Sequence, residues 1–273
     1  MGLIFLFLVA CSSVKKTERA LNEGNYDTAI DRAIKELRTG KDKKSNQSFV
    51  YLLEEAFAKA VERDMNDLSY YKKDPNPETF QSIYNTYERL DRRQESIKPL
   101  MPLRLLSENR NARFDFKNYT QDLIKAKEQL SNHLYQKAKA IASVNAKPAF
   151  REAFETLEYL QRINPNYRDA AQLMNEYYAK GVQYVHLYIT NESEIAIPKR
   201  LESDLTQIST YGLNDKWVVY HNQRRDELFY DYDLKLAFRA INVSPELVQE
   251  KQFVKEKDVV EGWEYLEKNG KIV

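Results

Sequence analysis

The chain has 273 residues, which is long enough for one large domain or two modest ones. Its 42 basic and 41 acidic residues leave a formal net charge of +1, so no overall field attracts nucleic acid or an acidic polymer. Seven glycines and eight prolines are few for this length, and this composition favours long helices over short strands. Cys11 is the only cysteine, so the chain beyond it can form no disulfide, no thiolate zinc site and no cysteine nucleophile.

An apolar run near the start of the chain ends in small residues and a cysteine. Residues 3–10 are all apolar, and the stretch Leu8-Val9-Ala10-Cys11 closes the run. A run of this length is too short to span a bilayer, which needs about 20 residues, although a plain secretory signal peptide also has this form. The closing stretch resembles the lipobox of bacterial lipoproteins, in which a peptidase cuts before the cysteine and a diacylglycerol is attached to its thiol. The resemblance implies a signal peptide and anchor over residues 1–11, with lipid attachment at Cys11. The body would then be held at the bacterial cell envelope, with the periplasmic face of the outer membrane favoured.

Amphipathic helices are predicted from Lys15 onwards. Lys15 to Arg38 is expected to form two helices that meet at Gly24, a residue that can adopt the left-handed conformation ending a helix. Asn25 is expected to cap the second helix, whose apolar residues recur at the i, i+3, i+4, i+7 spacing of a half-buried helix. The same spacing predicts two longer helices, from Asn46 to about Lys72 and from Pro77 to about Gln94.

A less regular segment follows these helices. Ile97 to Tyr119 contains two prolines and no clean helical period, which predicts a crossing connection with a short extended piece. Three arginines make this segment locally basic, namely Arg104, Arg110 and Arg113. We expect them to form a solvated face rather than a binding patch.

Three further helices are predicted, over 118–143, 147–163 and 167–180. An aromatic residue followed three positions later by alanine recurs along the helical part of the chain, as Tyr26/Ala29, Phe150/Ala153 and Tyr167/Ala170. This pattern resembles the tetratricopeptide repeat, in which the alanine allows paired helices to approach closely. The units are not spaced by whole multiples of the roughly 34-residue repeat. Residues 15–180 are therefore expected to form an irregular, tetratricopeptide-like helical domain.

The composition changes at Gly181, and residues 181–273 are expected to form a small α+β domain. β-Branched and aromatic runs predict strands over 182–189, 217–220 and 232–243, and a helix over 198–209 is expected to turn Leu201 and Leu205 inward. Residues 247–260 are expected to return as an antiparallel strand. Asn269-Gly270 is a strong hairpin signal with little chain after it, so we expect the full-length protein to continue. The fold class predicted for the whole chain is α+β.

Motifs that carry catalysis or bind cofactors are missing from the sequence. We find no glycine-rich phosphate loop, no zinc-protease motif and no nucleophile elbow. His133 is expected on a surface face of its helix and His186 in a strand, facing polar groups or solvent. His221 and the charged residues after it could build a polar site, but a charged loop is favoured. Carboxylates are abundant, and i, i+4 pairing with Lys and Arg explains them. No catalytic residue, metal or cofactor is predicted.

Three functions compete. The favoured one is a membrane-anchored envelope lipoprotein that acts as a non-enzymatic protein-binding or scaffold module in envelope assembly or secretion, with no nucleic-acid partner. The alternative is a glycan-binding lipoprotein of a polysaccharide uptake system, whose aromatic side chains, such as Tyr71, Tyr177 and Tyr178, stack on sugars. The third is a hydrolase with an atypical site around His221. Residues 181–243, with Asp231-Tyr232-Asp233, also loosely resemble the periplasmic domains of outer-membrane secretion lipoproteins, which favours envelope assembly.

Overall fold

The computed structural model describes residues 5–193 and 195–240 together with short strands at 267–268 and 271–272. This part of the chain is a mixed α+β structure that is mostly helical. Its α-helices, in chain order, are α1 Phe5–Asn22, α2 Tyr26–Arg38, α3 Gln47–Tyr71, α4 Thr79–Ile97, α5 Thr120–Ala142, α6 Lys147–Ile163, α7 Ala170–Gly181 and α8 Lys199–Thr206. Each of the first six helices packs against the next one along the chain, so that α1 to α7 form a continuous series.

The first helical turn forms at the predicted glycine. Gly24 has a φ of +78°, so the left-handed conformation expected of it is confirmed. Asn25 occupies the position before α2, but its side chain makes no capping hydrogen bond, and that expectation was wrong. The backbone carbonyl of Asn25 instead accepts the amide of Ala29 at 3.1 Å and so begins the ladder of α2.

Apolar stripes on the helices form three adjoining clusters. One joins α1, α2 and α3 to the segment after α4, one joins α3, α4 and α5, and one joins α5, α6 and α7. The alanines of the recurring aromatic–alanine pairs are completely buried, as are Ala33 of α2, Ala56 and Ala60 of α3 and Ala138 of α5. These small side chains permit the close approach of neighbouring helices that the sequence pattern predicted.

A buried charge network joins α2, α3 and α4. Asp64 of α3 has 0% of its side chain exposed and accepts hydrogen bonds from Arg89 and Arg93 of α4 at 3.1 and 2.9 Å. Arg93 also donates to Asp27 of α2 at 2.7 Å, and Arg63 contacts both carboxylates at 3.0 Å. Burial alone would raise the pKa of the Asp64 carboxyl. The hydrogen bonds from Arg89 and Arg93 outweigh that effect and hold the pKa below its usual value.

The segment between α4 and α5 crosses α3, and it contains the short extended piece that was predicted. Strand β1 (Arg104–Leu105) pairs antiparallel with β2 (Arg110–Asn111). Arg110 is not a free cation of a solvated face, because its two terminal nitrogens donate to Glu54 of α3 at 2.8 and 3.0 Å. The hydrogen bond from Arg110 lowers the pKa of the Glu54 carboxyl. This ion pair fixes the hairpin on the helix.

A small sheet follows α7 directly. It consists of β3 (Gln183–Asn191), β4 (Val218–His221) and β5 (Tyr232–Phe238), in the order β4-β3-β5, and both pairs are parallel. The chain passes from β3 to β4 through α8. Leu201 and Leu205 of α8 are 46% and 39% exposed, so their predicted inward orientation was wrong. Neighbouring parallel strands require a crossover connection. The connection from β3 to β4 contains one short helix, α8, which covers only part of the sheet.

Some of the remaining predicted strands lie partly or wholly outside the part of the chain that the structure describes. The strand expected over 232–243 ends at Phe238 in the structure. The antiparallel return expected over 247–260 lies outside the described residues. Strands β6 (Glu267–Lys268) and β7 (Lys271–Ile272) pair antiparallel, as a hairpin turn at Asn269-Gly270 predicts.

The sheet is attached to α6 and α7 by specific contacts. Trp217, just before β4, packs edge-on against Phe154 of α6 with ring centroids 5.3 Å apart, and against Tyr178 of α7 at 5.6 Å. Arg151 Nε donates to the carbonyl of Gly181 at 2.9 Å. A Cβ at position 181 would lie 3.0 Å from the indole of Trp217 and 3.2 Å from the side chain of Arg151, so a larger residue would make both neighbours shift slightly. This glycine therefore permits the close contact between the helices and the strands.

Candidate functional site

The predicted lipid-attachment residue lies in the first helix. The backbone of Cys11 falls within α1, which begins at Phe5 rather than at Lys15. Across residues 5–193 and 195–240, no helix combines the length and the apolar character that crossing a bilayer requires.

A cavity of about 250 Å³ opens between the end of α3, the start of α4 and the first turns of α5. We call it the α3–α5 cavity. Its walls carry three aromatic rings, those of Tyr71, Phe80 and Tyr87. The polar side chains that line it are Lys72, Asp74, Thr79, Asp122, Lys125 and Gln129. A concave site with aromatic walls and a few polar groups has the general composition of a small-molecule site.

A chain of hydrogen bonds crosses one side of this cavity. Lys72 Nζ donates to the hydroxyl of Tyr87 at 2.5 Å, and that hydroxyl donates to Asp122 Oδ1 at 2.9 Å. Burial raises the pKa of the Tyr87 phenol and the hydrogen bond to Asp122 adds to this effect, while Lys72 opposes it. Tyr87 is therefore a neutral phenol at physiological pH. It holds the Asp122 carboxylate of α5 against α4.

The rim of the cavity is a loop with its own hydrogen bonds. Asp74 Oδ1 accepts the amide of Asn76 at 2.9 Å, and Asn76 Oδ1 accepts the amide of Glu78 at 3.0 Å. The hydroxyl of Thr79 donates to the carbonyl of Asn76 at 2.7 Å. These local bonds are typical of Asx turns, and they position the loop between α3 and α4 without help from the cavity's other side chains.

A second cluster of polar side chains lies on the sheet. His186 of β3 is in register with His221 of β4 and with Asp233 of β5. His186 Nδ1 lies 2.9 Å from Asp233 Oδ1, and Arg224 Nη2 donates to both oxygens of Asp233 at 2.6 Å. His221 Nδ1 lies 2.8 Å from the hydroxyl of Tyr230. The expectation that His186 faces polar groups is confirmed.

The partners of this cluster determine its protonation. Hydrogen bonds from Arg224 and then from His186 lower the pKa of the Asp233 carboxyl, so Nδ1–H of His186 donates to an ionised carboxylate. Burial lowers the pKa of His221, and Arg225 adds to the effect. His221 is therefore neutral near pH 7, and we assign its Nδ1 as the acceptor of the phenolic hydrogen. An imidazole oriented by a carboxylate can act as a general base, but no serine, threonine or cysteine within the described residues hydrogen-bonds to either imidazole.

The other predicted residues lie apart from both clusters. His133 is half-buried rather than on a surface face, because its ring packs edge-on against Phe80 with centroids 5.9 Å apart. Of the three tyrosines considered for sugar stacking, Tyr71 lines the α3–α5 cavity, while Tyr177 is buried against the core of α5–α7. Tyr178 contacts Trp217 where the helices meet the sheet. Nowhere among the described residues do His, Cys, Asp and Glu side chains group as a metal site would require.

Comparisons with known proteins found no matching protein-family model, no similar curated protein and no similar solved structure. Function must therefore be argued from the sites and surfaces themselves.

Proposed function

We propose that this protein is a lipid-anchored component of the bacterial cell envelope whose body binds another protein without catalysing a reaction. The lipobox resemblance supports attachment of a lipid to Cys11. Residues 12–16 carry no acidic tract of the kind that some surface-export signals use, which favours the periplasmic face of the outer membrane. The successive packing of α1 to α7, with buried alanines at the contacts, supports a tetratricopeptide-like arrangement. Arrays of this kind present extended surfaces to protein partners.

Exposed apolar side chains in the strand-containing part carry the proposal. Most of the large hydrophobic side chains that are exposed in the described part of the chain lie between residues 195 and 236. Phe229 is 82% exposed, and on β5 the side chains of Tyr232, Leu234 and Leu236 alternate with Asp233 and Lys235. Contiguous exposed apolar surface on a protein marks an interaction site. We infer that the partner presents an apolar surface of its own to the face of β5 that carries these side chains.

The interaction is tested by a photo-crosslinking amino acid placed at Leu234 of the full, anchored chain in living cells. We expect an adduct of one discrete mass, because a specific partner covers the position. The matched control carries the same amino acid at Gln136, an exposed position of α5, and should give no adduct. Adding Leu236→Asp to the Leu234 variant should remove the adduct. Equal labelling at both positions, or none at Leu234, would exclude this surface as the binding site.

The anchor is tested separately. Changing Cys11 to Ser removes the thiol that would carry the lipid, so incorporation of a palmitate analogue should be lost and the body should leave the membrane fraction. Protease added to intact cells should leave the parent protein uncut if it faces the periplasm. A Ser13→Ala variant serves as the control and should behave like the parent. Continued labelling of the Cys11→Ser variant would show that no lipid is attached at this residue.

A further inference from the structure

We propose that the α3–α5 cavity binds an uncharged, polyhydroxylated small molecule of the size of one sugar ring. The inference is independent of the protein partner proposed above, because the cavity lies among the helices and the apolar surface lies on the sheet. It rests on the shape of the walls, on polar groups with unused hydrogen-bonding capacity and on the balance of charge.

The walls offer flat apolar surface. Tyr71 ends α3 and Phe80 lies in the first turn of α4, and both are half-buried at the cavity. Tyr87, two turns further on, is only 4% exposed, so Tyr71 and Phe80 supply the accessible ring faces. Ile83 and Ala126 complete the apolar lining. One face of a pyranose ring presents only C–H groups, and such a face packs well against the electron-rich face of an aromatic ring. Removing the apolar surface of these rings from water is favourable, so a ligand that covers them gains binding free energy.

Polar groups beside these rings have capacity to spare. Asp122 uses one carboxylate oxygen for Tyr87 and keeps the other. Within the part of the chain that the structure describes, the Lys125 ammonium and the Gln129 amide have no hydrogen-bond partner in the protein. Lys125 and Gln129 lie one helical turn apart on α5, so both point along the same face. Together these three side chains supply donors and acceptors to ring hydroxyls, which need both.

The charged side chains around the α3–α5 cavity disfavour binding of an anionic ligand. Lys72 and Lys125 bring two positive charges to the cavity, and Asp74 and Asp122 bring two negative charges. Lys72 is already bonded to Tyr87, which in turn is bonded to Asp122. A phosphate or carboxylate group would gain one free ammonium and would approach two carboxylates. A neutral polyol avoids that repulsion and can bond to either kind of group.

The size of the cavity limits the ligand. About 250 Å³ is smaller than the roughly 300–1,000 Å³ of pockets for drug-sized molecules, so a single ring is accommodated and the remainder of a longer chain would extend into solvent. A site this small and open is expected to bind weakly, with a Kd of about 0.1–10 mM.

The probes are methyl glycosides of glucose, galactose, mannose and N-acetylglucosamine, with inorganic phosphate and acetate as anionic comparisons. Saturation-transfer NMR on the folded chain reports which probes bind, and titration gives the Kd of each. We expect at least one methyl glycoside to bind and neither anion to compete with it. Binding of phosphate or acetate in place of the glycosides, or binding of no glycoside up to about 10 mM, would overturn the proposal.

Two pairs of variants localise the binding. Tyr71→Ala should weaken glycoside binding by about tenfold or more, because it removes a stacking wall, whereas Tyr70→Ala should change it less than about twofold. Tyr70 is the matched control, since it is the neighbouring aromatic residue and is 70% exposed outside the cavity. Gln129→Ala should also weaken binding, while Gln136→Ala on the same helix should not. Because Gln129 is exposed, its loss does not threaten the fold. Equal affinity in the Tyr71 and Gln129 variants and in the parent would show that the glycoside binds elsewhere. Neither result depends on whether the photo-crosslink at Leu234 forms, so failure of the proposed protein interaction would leave the glycoside test unaffected.

Discussion

Replacing Asp64 with Asn tests whether the charge network between α2, α3 and α4 stabilises the fold. The change keeps the size of the side chain but removes the negative charge and turns two N–H groups of an amide towards guanidinium donors. Breaking a buried ion pair from one side costs about 3–5 kcal/mol, because the remaining charge stays buried without compensation. Arg93 would retain its hydrogen bond to Asp27 at 2.7 Å, so we expect the lower end, about 3 kcal/mol.

The measurement is urea unfolding followed by circular dichroism at 222 nm, with Glu62→Gln as the control. Glu62 lies on the same helix and is exposed, so its change from carboxylate to amide should cost less than about 0.5 kcal/mol. A double-mutant cycle that adds Arg93→Gln should give a coupling energy of about 1–3 kcal/mol between Asp64 and Arg93. If the Asp64 and Glu62 variants unfold at the same urea concentration, the network contributes nothing and the reasoning fails.

Two further predictions concern acid and packing. Burial would raise the pKa of Asp27 and of Asp64, but their arginine partners lower both below the usual 3.8. The stabilisation is therefore complete above the unfolded pKa and is lost as pH falls through the folded values. The midpoint temperature of thermal unfolding, measured at pH 6, 4 and 3, should fall as this stabilisation is lost. The fall should be smaller in the Asp64→Asn variant. An equal fall in the variant and in the parent would contradict the network. Ala153 is completely buried, so Ala153→Leu should cost about 1–3 kcal/mol by overpacking. The exposed Glu155→Leu on the same helix should be nearly neutral in the same urea assay, and similar losses at both positions would refute the assigned face.

Helices were predictable from the sequence because their information is local. The stripe on α2, the turn at Gly24 and the prolines after α3 each act within a few residues, and the structure has a helix at each expected place. The burial of Ala153 was predictable for the same reason, since a small residue within an apolar stripe marks a close contact. Helix starts were less accurate: α7 begins at Ala170 rather than at Tyr167. Helix ends depend on individual hydrogen bonds, which periodicity does not encode.

Contacts between distant residues could not be predicted. The carboxylates were explained as a group by pairing along their own helices, yet Asp64 is held mainly by Arg89 and Arg93 of the next helix. The α3–α5 cavity combines Tyr71 with Gln129, which are far apart in sequence and carry no shared motif. Of these two residues, only Tyr71 was singled out from the sequence, as one of three aromatic residues considered for sugar stacking. Such sites arise from the angle and offset of packed helices, and a one-dimensional pattern contains neither.

The contacts between the helices and the sheet determine how the proposed interaction surface is held. Only Val182 separates α7 from β3, and it is buried, so the change of composition at Gly181 is not a flexible linker. Lys147 of α6 donates to Asp231 at 2.7 Å, and the same carboxylate accepts the amide of Tyr184 at 2.9 Å. Burial would raise the pKa of Asp231, but these two donors lower it, so the contact persists near neutral pH. With Trp217 packed on α6 and α7 as well, β3 and β5 are tied to the last two helices of the array. A force on the apolar face of β5 would therefore be transmitted into α6 and α7 rather than absorbed by a hinge, as the proposed scaffold role would require.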